Sequence, residues 1–363
     1  MAKLLGEIEW GEPILTPISD PAWEAKVKLR VGQVAEVDRR VARNAWVREA
    51  CVALTAFRPS ELPPRLLNFG ALVTAQENSC RYCYGANRAY MKILGYSESF
   101  INRIERDVHM AELDDKDRGF IAFCRNLARS RPRPARAERD ALVKLGYSPL
   151  QINEMALLIV MGCYYNRISI LMACPPEAGF ERMANGFVGR LIGLAGPLMR
   201  ALAARKRPAQ QGALDTATLS SGPFGAIVAT LAGLPGATII KTALDGAFAS
   251  TTLARHTKAL MFAVVARTLE CRTSETEARK LLAAEKFSQA EVDAALTSLD
   301  SPRLSATDNK LLSWVRDTVY YQTSAIQIQT RALAATMSEE HLLEAIGVAA
   351  LANSTVRLAM LVE

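Results

Sequence analysis

Residues 62–125 of this 363-residue chain align with residues 253–316 without a gap, so the two segments are written to fold alike. Ten aligned positions are identical: Leu62, Val73, Ala75, Cys80, Arg81, Arg88, Ser97, Leu113, Asp117 and Arg125 each recur 191 residues later. Ordinary composition would give roughly four. The apolar pattern agrees better than the identities do. LDDKDRGFIAFCR faces LSATDNKLLSWVR, a helix start, then paired aromatic or aliphatic positions, then arginine. With the offset one residue shorter, SPLQINEMALLIVMG faces SEEHLLEAIGVAALA, which pairs Glu154 with Glu344 and Arg167 with Arg357. Length, order and shared capping signals indicate two copies of one unit.

The period inside each copy is helical. After a cap at Asp114 or Asp115, the apolar residues Phe120, Ile121, Phe123, Cys124 and Leu127 fall on one face. Ser148 and Pro149 form an N-cap and N1 pair ahead of a stretch that is apolar nearly all round, the pattern of a buried central helix. Alternating strand patterns are scarce. The expected fold is therefore all-α, two tandem helical bundle repeats at 1–195 and 223–363. The linker expected at 196–222 mixes Pro, Gly, Ser and charge. Segments 154–163 and 342–352 carry more apolar surface than one small unit can bury, which predicts a homo-oligomer or an intramolecular pseudo-dimer.

Charge excludes little but narrows the partners. Lys and Arg number 44 against 37 Asp and Glu, a net +7 without one long basic run. The basic stretches 129–136 and 200–209 read as solvated connections. With no zinc finger, RNA-binding signature or basic zipper, no nucleic-acid partner is expected. The first residues, MAKLLGEIEWGEP, place acids where a secretory signal needs an apolar core. No run of about 20 uncharged apolar residues occurs, so a membrane span is not expected. Segment 186–207, apolar with basic residues, reads as packing against protein rather than lying on a membrane surface. Seven cysteines, an odd number, argue against a disulfide framework and for the cytoplasm.

Chemistry concentrates in ENSCRYCYGAN, residues 77–87. If Asn78 or Ser79 caps a helix, Cys80 lies in its first turn and Cys83 one turn on, along the same face. The positive helix end and Arg81 then favour thiolate, and the spacing permits a disulfide with little adjustment. This argument makes Cys80 the more acidic thiol. Structural zinc needs four ligands, but Cys124, Cys163, Cys174 and His109 are scattered, so neither metal nor cofactor is expected. Two inert core cysteines are the competing reading.

The apolar helix PPRLLNFGALVTAQ runs into this motif and on to RAYMKILGYS. In that layout the chain resembles the carboxymuconolactone decarboxylase superfamily, specifically its alkylhydroperoxidase D-like branch, over about 62–175 and more faintly over 253–363. The matching residues are Asn78, Ser79, Cys80, Tyr82, Cys83 and the turn Gly95-Tyr96-Ser97. The resemblance implies a thiol-dependent peroxidase in which Cys83 attacks the peroxide and Cys80 resolves it as a disulfide. An outside dithiol protein would restore the pair.

Two departures bear on that chemistry. The family's relay histidine falls on Asn87 and its glutamate on Asn68, and asparagine cannot exchange a proton near neutral pH. Glu77, Tyr82, Tyr84 or His109 are the candidates to substitute. The second copy keeps Cys271 but has Ser274 and Ala278 where the second cysteine and histidine would stand, so a structural role is expected for it. The alternative function is a non-catalytic helical scaffold that kept the fold and lost the relay. Decarboxylase chemistry is the weakest option, since the matching acid and base are missing.

Overall fold

Start and stop signals recur throughout the chain, and the helices obey them. The computed structural model describes residues 2–130, 133–134, 136–177, 179, 212–320 and 322–361. Among these residues there are eighteen α-helices, three short 3₁₀ turns and no strand, as the all-α expectation requires. The first nine helices are α1 Pro21–Val31, α2 Glu36–Arg40, α3 Ala45–Ala56, α4 Pro64–Glu77, α5 Arg81–Ile93, α6 Glu98–Arg106, α7 Asp115–Arg129, α8 Arg136–Lys144 and α9 Pro149–Leu171. The other nine are α10 Thr216–Ser220, α11 Gly225–Val228, α12 Ala237–Ala249, α13 Arg255–Thr268, α14 Arg272–Ala284, α15 Gln289–Ser298, α16 Ala306–Asp317, α17 Thr323–Ala334 and α18 Glu339–Ala359. Segment 186–207 and most of the expected linker lie outside the described residues.

The aligned segments keep step. Helices α4 and α13 each have 14 residues, and α5 and α14 each have 13. Asp114 caps α7 where Ser305 caps α16, and Ser97 caps α6 where Ser288 caps α15, each with its side chain accepting a first-turn amide. The left-handed backbone positions correspond too: Ser79 at φ 50° with Glu270 at 56°, and Gly95 at 81° with Lys286 at 63°.

Helices α9 and α18 pack against each other at the centre. Among the described residues these two are long and apolar enough to cross a membrane, yet 89% and 100% of their most apolar windows are buried inside the chain. Each sends one arginine across. Arg167 Nε of α9 donates to the Thr318 carbonyl at the end of α16, at 3.1 Å. Arg357 Nε of α18 donates to the Ala128 carbonyl near the end of α7, at 3.2 Å. Terminal carbonyls lack partners within their own helix, so each arginine satisfies a buried helix-end acceptor of the opposite segment.

The two aligned glutamates have different partners. Glu154 accepts the backbone amides of Ser60, Glu61 and Leu62 at 2.6–2.9 Å and fastens the loop ahead of α4. Glu344 instead meets Lys258 Nζ at 2.7 Å, with both side chains 0% exposed. The same carboxylate takes the Asn44 amide and the Trp46 indole of the α3 region. Helix α3 packs on α12, where a side chain at Gly246 would lie 2.8 Å from Trp46 Cβ. Ahead of α1, the Trp10 indole donates to the Cys174 carbonyl at 3.0 Å, and the Ile14 amide to Met172 at 3.0 Å. These bonds lay the N-terminal arm along the end of α9.

Candidate functional site

Helix α4 stops because Ser79 turns left-handed. The Ser79 amide returns to the Gln76 carbonyl at 2.9 Å and the Cys80 amide to Ala75 at 3.0 Å, a closing pattern that satisfies the last carbonyls of the helix. The chain then re-enters a helix with Cys80 itself as N-cap. The expected caps, Asn78 and Ser79, are spent on ending α4. Asn78 is its C-cap, and its side chain donates to Cys163 Sγ at 3.5 Å and accepts from Arg167 at 3.3 Å.

Cys80 and Cys83 therefore share one turn. The Cys83 amide donates to Cys80 Sγ at 3.4 Å, and Cys83 Sγ lies 3.6 Å from Ser169 Oγ of α9. All seven cysteines are free thiols and buried, with Cys80 0% exposed and Cys83 5%. Burial pushes the Cys80 thiol well above its usual range, the neighbouring Cys83 thiol pushes it further, and the Cys83 amide only partly offsets this. The helix-end argument for an acidic Cys80 fails, because desolvation outweighs the dipole.

The candidate relay residues are dispersed. Asn87 donates to the Ala71 carbonyl at 3.2 Å. Asn68 is half-buried on α4, a helix that ends before the motif turn. Glu77 is held by Arg125 and Arg129 of α7, the latter donating from Nε at 2.9 Å, so both carboxylate oxygens face α7. Tyr84 is fully buried, and burial, then the Glu105 carboxylate, push its hydroxyl up. His109 is exposed in the turn Val108–Met110. Tyr82, 4% exposed, donates its hydroxyl to Glu177 Oε1 at 2.9 Å.

Residues that the motif alone does not announce complete the surroundings. Ser169 comes from α9, Glu177 from the segment after it, and Asp38 from α2. Burial raises the Asp38 carboxyl to about 6, helped by Glu177 and opposed by the Ala35 amide and Arg39. Cys51 and Cys174 are raised by burial first, and each lies close enough to feel Cys83. No spacing rule joins these positions, since packing of distant elements brings them together. Among the described residues, no group of three or more His, Cys, Asp or Glu is placed to hold a metal ion.

The second segment repeats the turn without the dithiol. Glu270 is left-handed, the Cys271 amide returns to Ala266 at 2.9 Å, and Cys271 caps α14. Its Sγ lies 3.3 Å from Ser274 Oγ. Fold and site thus define an all-helical protein with one buried dithiol at a helix start.

No family model matches the chain, and no curated protein matches it. Among solved structures it is similar to one described as the alkylhydroperoxidase AhpD core, an uncharacterized peroxidase-related protein from Ralstonia eutropha JMP134. The two are 18% identical with a TM-score of 0.42, and the match covers 48% of this chain and 99% of that one. The site is therefore read from this chain's own residues.

Proposed function

We propose that this protein is a thiol-dependent peroxidase or oxidoreductase of the alkylhydroperoxidase D-like type, cycling Cys80 and Cys83 between dithiol and disulfide. The observation that carries this is the 3.4 Å contact of the Cys83 amide with Cys80 Sγ, which puts both thiols in one helical turn. Cys83, the less buried of the two, is the peroxide-attacking thiol, and Cys80 resolves. Sulfur of Cys83 takes one peroxide oxygen, giving sulfenic acid and an alcohol or water. Cys80 then displaces water to form the disulfide. A dithiol protein reduces it, and the substrate is a peroxide or another small oxidant.

The chain is read as two alkylhydroperoxidase D-like units, 1–195 and 223–363, about a linker at 196–222. The second unit is the degenerate partner of an intramolecular pseudo-dimer, an arrangement supported by the reciprocal arginine contacts. A cytoplasmic setting suits a working dithiol. A second reading, a non-catalytic scaffold, is favoured by the burial of both thiols and by Asn68 and Asn87. Peroxide consumption separates the two readings. Cys83→Ser should abolish it, and Cys80→Ser should leave Cys83 halted as sulfenic acid. Equal consumption by wild type and both variants would leave the scaffold.

A further inference from the structure

The sulfur of Cys83 has a hydroxyl partner from another helix. The Cys83 thiol donates to Ser169 Oγ of α9 at 3.6 Å, and that hydroxyl donates in turn to the Tyr165 carbonyl at 3.0 Å. A proton on the sulfur therefore points at an oxygen that carries a proton of its own. Ser169 is fully buried, and its place is fixed from two sides. Helix α5 packs on α9, and the Cys174 amide closes α9 on the Ser169 carbonyl at 2.9 Å. A helical serine commonly bonds the carbonyl four residues back. That habit accounts for the Tyr165 bond, but not for a thiol meeting the same oxygen.

The second copy lacks both ends of this contact. In the alignment of the two copies Cys83 faces Ser274, and Ser169 of α9 faces Ala359 of α18. Ser274 and Ala359 are fully buried, as Ser169 is. There the Cys271 thiol donates to Ser274 Oγ within its own turn, at 3.3 Å. Where the second thiol is gone, the hydroxyl on the central helix is gone with it. Alanine at that register also shows that a central helix packs without the hydroxyl.

We propose that Ser169 is the proton carrier for Cys83, in place of the groups that Asn68 and Asn87 cannot supply. This rests on the dithiol reading above. As the Cys83 sulfur bonds to the terminal oxygen of a hydroperoxide and the O–O bond breaks, the thiol proton passes to Ser169 Oγ. In the same step the Ser169 hydroxyl leaves the Tyr165 carbonyl and gives its own proton to the departing oxygen. Thiol and hydroperoxide become sulfenic acid and alcohol, or water when the oxidant is hydrogen peroxide. Serine ends the step as it began, a neutral hydroxyl. Such a group is donor and acceptor at once, so it carries a proton without ionising. Ser169 is a catalytic residue in this step, because its oxygen meets the reacting sulfur.

The test is a single turnover of the full chain with hydrogen peroxide, quenched and read by mass spectrometry as loss of reduced Cys83. Ser169→Ala should lower the second-order rate about tenfold or more. Its thermal melt should match wild type, because alanine already fills the matching place at Ala359. Ser169→Thr keeps a hydroxyl over the carbonyl four residues back and should stay within about threefold of wild type. In mixtures of light and heavy water the wild-type rate should fall along a curve, because two protons move in one step. The Ser169→Ala rate should fall less, and along a line. A Ser169→Ala protein with the wild-type rate would overturn the proposal. So would a slow Ser169→Ala protein that keeps the curved dependence, or a well-folded Ser169→Thr protein equally slow, since Ser169 would then only shape the site. Diamide keeps the two readings apart. If it joins Cys80 to Cys83 in wild type and in Ser169→Ala while their peroxide rates are equal, the carrier fails and the dithiol reading stands. If wild type forms no disulfide with diamide and consumes no peroxide, the dithiol reading fails and takes the carrier with it.

Discussion

The turn at Ser79–Cys83 and the turn at Glu270–Ser274 share one backbone and differ in chemistry. Both end a helix on a left-handed residue and begin the next on a buried cysteine cap, Cys80 or Cys271. One has a second thiol at the third helical position and the other a serine hydroxyl. A cysteine at such a cap is therefore explained by the turn itself, and says nothing of reactivity alone. What distinguishes the first turn is the second sulfur and the acids packed near it, Asp38 and Glu177. The central glutamates teach the same lesson. Glu154 collects backbone amides, whereas Glu344 at the matching place neutralises a buried lysine.

The buried pair offers the largest effect by which to break the comparison. Lys258→Met should destabilise the protein by about 3–5 kcal/mol in urea unfolding, because it strands the Glu344 charge. Lys258→Met with Glu344→Leu should recover most of that. Glu154→Gln in the first half should cost less, on the order of 1–3 kcal/mol, because the amide still offers one oxygen to the loop. Equal costs in the two halves would mean that the glutamates do the same job.

Next in size is Asp38→Asn. The folded carboxyl titrates at about 6 against the ordinary 3.8, so the folded state holds a proton that the unfolded chain releases. Stability is then highest below the lower value and falls as pH rises through the interval between them. A gap of about two pH units corresponds to at most about 3 kcal/mol. The asparagine variant should be more stable than wild type by about 1–3 kcal/mol above that interval and no more stable below it, as read from thermal melts at each pH. A gain independent of pH would show that burial of the charge is not the cause.

Ser274→Cys sharpens the contrast between the turns. Diamide should join Cys271 to the introduced thiol, since the backbone already fits, while peroxide consumption stays within about twofold of wild type. A large rise would mean that the turn suffices and its neighbours do not matter. The smallest effect is Glu270→Gly, which relieves a left-handed residue and should gain about 0.5–1 kcal/mol, less whatever entropy glycine adds to the unfolded chain. A loss of stability would show that the Glu270 side chain contributes more than its backbone strain costs.

Helix positions were legible because capping and periodicity are local. Ser148, Ser338 and Asp114 cap the helices their patterns announce. The dithiol was legible from its spacing, though its cap was not, since which of Asn78, Ser79 and Cys80 begins α5 depends on how α4 ends. The acidity of Cys80 could not be read, because burial is a property of the packed whole. Glu177, Asp38 and Ser169 were invisible for the same reason, as each belongs to an element that reaches the motif only after folding.

The central claim is that thiol chemistry belongs to the first turn alone. Peptide mapping by mass spectrometry after mild peroxide treatment of the folded chain tests it directly. The peptide containing Cys80 and Cys83 should lose two hydrogens, and the peptide containing Cys271 should be unchanged. A Cys80–Cys83 pair that stays reduced, or a Cys271 oxidised to the same extent, would contradict it.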